Sequence, residues 1–150
     1  MLNLSKKILV AIDGSPQSDK AAEEAVRLAT GSGARFKSKV YALLVLPSMR
    51  APSFTDFFPS LPDTERPGWE EKRKRIFYVV EKAASQAEIP LASEVVYGDA
   101  SEEIMAFAEK EEIDVIVIGS SGAGRVKRAF MGSVSTKVAL HARHSVYIVR

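Results

Sequence analysis

Two short stretches hold residue types that could do chemistry together. One is Gly119-Ser120-Ser121-Gly122-Ala123-Gly124, with Gly132-Ser133 further along; the other is Asp13-Gly14-Ser15. Each directly follows an apolar run, Val115-Ile116-Val117-Ile118 in the first case and Ile8-Leu9-Val10-Ala11-Ile12 in the second. A glycine-rich turn between a buried strand and a helix start is suited to holding phosphate. Glycines let backbone N–H groups come close to the anion, and the helix N-terminus adds unpaired donors and partial positive charge. Ser120, Ser121 and Ser133 can add hydroxyl donors. Gly119 and Gly124 have P-loop spacing, but Arg125-Val126 stand where that motif needs Lys and then Ser or Thr. No G-x-G-x-x-G occurs, so the dinucleotide fingerprint is absent too. A plain structural turn uses the same residues, and Asp13 would serve equally as a turn or capping carboxylate.

The elements that must position these residues can be read from the apolar runs. Ile8–Ile12, Val40–Leu46, Val115–Ile118 and Val146–Val149 are too short for typical helices and do not alternate cleanly with polar residues. Strands covered on both faces read this way. Ala92–Tyr97 is a weaker fifth run. Helical patterns separate all five, which predicts a single doubly wound α/β domain with a parallel sheet and helices on both faces. The first helix is expected from Ser15-Pro16 to Gly31 or Gly33, with Ser15 as N-cap. The second is expected over 67–88, with Phe77, Val80, Ala84 and Ala87 buried, and the third over 101–112, burying Ile104, Phe107 and Ala108. A fourth follows Gly132-Ser133 and presents Val134, Val138 and Leu140 or His141. Ligands of doubly wound sheets sit beyond the carboxyl ends of the strands, where the strand order reverses. With the order 3-2-1-4-5 that point falls between the first and fourth strands, so Asp13 and Gly119 face one crevice. Val146–Val149 is then an apolar edge strand, and pairing with a second copy would cover it.

At 150 residues the chain is long enough for one core and short for two. It has no cysteine, which excludes disulfides, thiolate metal sites and a cysteine nucleophile. Lys plus Arg number 21 against 19 acidic residues, a net charge of +2 that is too small and too mixed to point to nucleic acid. Nothing approaches the run of about 18 apolar residues that a membrane helix requires. Residues 1–7 lack the apolar core of a secretion signal, and a cytoplasmic protein is expected. His141 and His144 have no metal-ligand spacing to carboxylates. Arg125, Lys127 and Arg128 either neutralise phosphate or form a solvated basic loop.

Residues 47–66 form a loop-like insert with Pro47, Pro52, Pro59 and Pro62, together with Phe54, Phe57 and Phe58; Pro67 and Trp69 follow. A loop this long is a packed surface segment or mobile linker, a lid over the ligand, or a partner surface. Used through 47–69 as a partner surface, it offers a function independent of nucleotide.

With these motifs in place, the chain resembles the universal stress proteins from about Lys6 to Arg150. The resemblance rests on Ile8 to Ser15, on Val96-Tyr97-Gly98-Asp99-Ala100, and above all on Gly119-x2-Gly122-x9-Gly132-Ser133. The last matches the G-2x-G-9x-G-S/T pattern of the family's ATP-binding branch. The resemblance implies a five-stranded 3-2-1-4-5 sheet, ATP or another adenine nucleotide in the crevice, and a homodimer. It also implies residue roles. Gly119 and Gly122, with Ser120 between them, would take ribose and phosphates, and Gly132, Ser133 and Val134 the phosphates. Asp13 would lie beside the nucleotide and Val40 against adenine. Mg²⁺ or Mn²⁺ would ride mainly on phosphate oxygens. The expected function is an ATP-binding regulatory, stress-response protein. A slow ATPase or nucleotide-dependent transferase would need a base, for which Asp13 is the candidate. The family commonly has proline before the last strand, where this chain has His144-Ser145, and the 47–66 insert has no clear counterpart.

Overall fold

The computed structural model describes residues 4–31, 33, 35–36, 38–48, 63–121 and 131–150. The elements alternate as β1 (Lys7–Ala11), α1 (Pro16–Thr30), β2 (Lys39–Leu46), a 3-10 turn (Asp63–Glu65), α2 (Trp69–Gln86) and β3 (Leu91–Tyr97). They continue as α3 (Ala100–Lys110), β4 (Val115–Gly119), α4 (Ser133–His141) and β5 (Ser145–Val149). All pairings are parallel and the strand order is β3-β2-β1-β4-β5, as expected.

Strand side chains divide alternately between the two faces. Ile8, Val10, Val40, Ala42 and Leu44 pack with α1 and α2 around Phe77 and Val80. Leu9, Tyr41, Leu43, Ile116 and Ile118 pack with α3 and α4 around Ile104, Phe107 and Val138. Both faces are covered, so the strands read as unbroken apolar runs.

Helix starts follow local chemistry. Ser15 caps α1, its hydroxyl accepting from Ser18 N at 3.2 Å, and Pro16 occupies the first turn without wasting a donor. α2 begins at Trp69 and not at Pro67, because Gly68 has φ +82°, which helical geometry excludes. α3 is capped by Asp99, which accepts from Glu102 N at 3.1 Å, so the helix starts before the expected Ser101. Ser101 is buried and donates to the Asp99 carboxylate at 2.7 Å. Two expected core residues move outward. Leu140 is 72% exposed and its alternative His141 is exposed as well, so of the last turns of α4 only Val138 faces inward, and Ala87 is only half-buried at the end of α2. Trp69 is buried in the α1/α2 core and so is removed from any surface aromatic cluster. Phe54, Phe57 and Phe58 lie outside the described residues.

Candidate functional site

The chain steps outward from β1 to β2 to β3, then returns to place β4 on the other side of β1. The helices after β1 and β4 leave on opposite faces and open a crevice at the carboxyl ends of the two strands. A cavity of about 250 Å³ lies there. Ala11, Ile12 and Asp13 line it from the end of β1, Leu43 and Val45 from β2, and Ile118, Gly119 and Ser121 from the end of β4. Ala100 and Ile104 close one wall, and Gly132 to Ser135 bring the start of α4 to another.

The β1 side is held by a small polar turn. Ser15 N donates to Asp13 Oδ1 at 2.8 Å, and Asp13 N donates to Ser18 Oγ at 3.2 Å. Ser18 Oγ in turn donates to Ser15 O at 3.1 Å. The Asp13 carboxylate is therefore oriented by the same residues that start α1, and it is exposed at the cavity rim. Nearby Asp19 has its pKa raised, by partial burial first and then by the charges of Glu23 and Asp13. Asp99 is shifted the other way, because the Ser101 hydroxyl and the Glu102 amide stabilise its charged form.

On the β4 side, Gly119 permits close packing. A Cβ there would stand 3.0 Å from the Gln17 carbonyl oxygen in α1. Ser120 N donates to Val149 O at 2.8 Å, and Gly132 N donates to Ser120 O at 2.6 Å. The N-cap of α4 is Gly132, which offers no side-chain acceptor, and its first turn holds no acid. α1 and α3, by contrast, cap their N-termini with Ser15 and Asp99. The first turn of α4 thus borders the cavity with amide donors that no capping side chain engages.

Of the residues read from the sequence, Asp13, Gly119, Gly132, Ser133 and Val134 line this one cavity, and Ser120 pins its edge through the backbone. Gly122 lies outside the described residues, as do Arg125, Lys127 and Arg128. Val40 does not line this cavity. It is fully buried near the amino end of β2 on the α1/α2 face, opposite Ile8, and the cavity wall from β2 is made by Leu43 and Val45. Sequence reading also missed Ser18, Ile104 and Ser135. The strand period of two sets Leu43 and Val45 on one face of β2 and Val40 on the other, but in an unbroken apolar run it does not say which face meets the cavity.

Among the described residues no three His, Asp or Glu side chains gather as a metal cluster, and Asp13 is the one acid along the cavity wall. That donor set cannot cage an ion alone. It fits Mg²⁺, which keeps phosphate and water oxygens and takes one or two carboxylates from protein. His144 sits 3.9 Å from Glu109, remote from the cavity lining.

The family model described as the universal stress protein family matches residues 5–150. This chain belongs to the universal stress protein family. A universal stress protein of Methanocaldococcus jannaschii is 30% identical over 99% of this chain and 84% of its own length. One from Thermus aquaticus is 33% identical, covering 97% of this chain and 98% of the relative. Among solved structures, the universal stress protein UspA from Lactobacillus plantarum superposes with a TM-score of 0.68 at 25% identity, over the whole of both chains. The universal stress protein from Archaeoglobus fulgidus solved in complex with dAMP gives a TM-score of 0.67 at 17% identity. It covers 99% of this chain and all of that one. A universal stress protein solved in complex with cAMP gives 0.62 at 19% identity, covering 97% of this chain and 96% of that one. At these last two identities the likeness is one of fold.

Proposed function

We propose that this universal stress protein is a regulatory domain that binds an adenine nucleotide, ATP foremost, in the crevice between β1 and β4. The observation that carries the reading is a single cavity joining Asp13 to the start of α4, whose first turn has no capping side chain. A phosphate placed there meets amide donors and the positive end of the helix dipole, worth about 0.3–1 kcal/mol when exposed and up to ~2 when partly buried. Ser133 adds a hydroxyl, and Gly119 lines the cavity at the end of β4. Apolar Ile12, Leu43, Val45 and Ile104 suit the faces of a purine, and Asp13 suits its polar edge or the ribose. Mg²⁺ or Mn²⁺ would be carried by the phosphates, with Asp13 in reach as one carboxylate ligand. The family relatives solved with cAMP and dAMP support adenine over other bases.

Hydrolysis is the weaker reading. The Asp13 carboxylate already accepts from Ser15 N in its own turn, which is a structural task. A partner role for the 47–69 segment loses Trp69, which is buried. The β5 edge carries half-buried Val146, Ile148 and Val149. We propose that it pairs with a second copy, covering an edge otherwise open to unselective pairing.

Thermal unfolding with Mg-ATP, and with Mg-GTP as control, tests the nucleotide reading. At 100 times its dissociation constant a ligand stabilises by about 2.7 kcal/mol. For a domain of this size the midpoint should rise by roughly 5–11 °C. No rise at millimolar ATP, or an equal rise with GTP, contradicts it.

A further inference from the structure

Ser135 stands two residues beyond the glycine motif, is only 2% exposed, and still forms part of the cavity wall. Its Oγ lies 2.9 Å from the carbonyl oxygen of Ser120 and 3.0 Å from that of Gly132. A hydroxyl has one proton, so the two carbonyls compete for it. The contact to Gly132 is the local back-bond that any serine in a helix can make. The contact to Ser120 spans fifteen residues and crosses from α4 to the end of β4.

That second contact has a mechanical consequence. The Ser120 peptide is already held by β5, since Ser120 N donates to Val149 O at 2.8 Å. Its carbonyl receives Gly132 N at 2.6 Å, and Ser135 Oγ is the second donor. A carbonyl oxygen has two lone pairs, so Ser120 O can accept from the N-cap Gly132 and, when the shared Ser135 proton points to it, from Ser135 in the first turn of α4. One bond would leave the helix start free to pivot about Ser120. Two bonds, from residues three apart on the helix, fix its rotation as well as its distance.

We infer that Ser135 is a positioning residue that aims the first turn of α4 into the crevice and sets the phosphate-dependent part of adenylate affinity. This rests on the nucleotide reading above and adds a residue to it. Ser135 touches no phosphate through its side chain; it acts through the orientation of the amides that open α4, up to Ser135, since Thr136 N already donates to Gly132 O at 3.0 Å.

The test is calorimetric titration of the full chain with adenosine, AMP and Mg-ATP. Wild type is compared with Ser135→Ala and with Ser135→Cys, which is close in shape but a weaker donor. Ser135→Ala should keep adenosine affinity within about twofold and reduce the gain from adding phosphate by roughly five- to tenfold, the size of one net hydrogen bond. Ser135→Cys should fall between. Without nucleotide, the Gly132 amide resonance should move in both variants, because its acceptor loses or weakens its second donor. A phosphate gain unchanged in both variants, an equal loss for adenosine and AMP, or an unmoved Gly132 amide overturns the role of Ser135 and leaves nucleotide binding intact. A wild-type chain that binds none of the three probes removes the nucleotide reading, and this role with it.

Discussion

Replacing Gly119 with alanine tests how the crevice is built. Gly119 ends β4, and a Cβ on it would stand 3.0 Å from the carbonyl oxygen of Gln17 and 3.1 Å from its carbonyl carbon. Both are backbone atoms in the first turn of α1, so no change of rotamer relieves the contact. That turn is itself tied down, by the Ser15 cap and by Asp19 N donating to Ser15 O at 3.0 Å. Either α1 slides by a few tenths of an ångström or β4 bends. Gly119 does not have a left-handed φ, so the cost is steric and not conformational. Overpacking of this kind costs about 1–3 kcal/mol. At roughly 2–4 °C per kcal/mol, the unfolding midpoint should fall by about 2–12 °C. The slide also changes the spacing between Asp13 and Gly119, and ATP affinity should fall by about tenfold, equivalent to one lost hydrogen bond. Gly33→Ala is the control. It has open space around its Cβ but φ +76°, so it pays about 1–2 kcal/mol of backbone strain without touching the cavity. Melts followed by circular dichroism, each repeated with an ATP titration, separate the two. A Gly119→Ala chain matching wild type in both stability and affinity would refute the close-packing argument.

Three further outcomes follow from the same geometry. Phe77→Ala, which empties a fully buried site between α2 and the sheet, should lose about 3–5 kcal/mol by urea unfolding and leave a chain of marginal stability. Asp99 has a lowered pKa because the Ser101 hydroxyl and the Glu102 amide hold its charged form. Its contribution to stability is therefore present above the unfolded value near 3.9 and lost as pH falls through the lower folded one. Asp99→Ala should melt below wild type at neutral pH, and the gap should narrow as pH drops below about 4; a gap independent of pH would contradict this capping account. Sedimentation at tens of micromolar should find a dimer if the β5 edge is paired, and a monomer there would remove that proposal.

Much of the fold was legible because its signals are local and repeated. Strands covered on both faces show as unbroken Val, Ile and Leu runs, and Ser15-Pro16 announces a helix start in any context. The same continuity hid the assignment of faces. In Val40 to Leu46 every residue is apolar, so nothing in the run says that Leu43 and Val45 border the cavity while Val40 is buried near the far end on the other face. Asp99 and Ser101 are both good caps by type. The choice fell to Asp99 because it accepts from Glu102 N while Ser101 turns inward to serve it. On the cavity itself, the two ends of the glycine motif were legible as Gly119 and Gly132-Ser133. The bond that joins them, Gly132 N to Ser120 O, is long-range and leaves no trace in local composition. Ser135 was invisible for the same reason, since its partner lies fifteen residues away.

The most direct test of the central proposal is an amide NMR spectrum of the chain titrated with Mg-ATP. Binding in the crevice should shift Ile12 and Asp13, Gly119 to Ser121, and Gly132 to Ser135, while Tyr78, Lys82 and Gln86 along the surface groove of α2 stay in place. Shifts confined to that α2 groove, or no shifts at millimolar nucleotide, would contradict it.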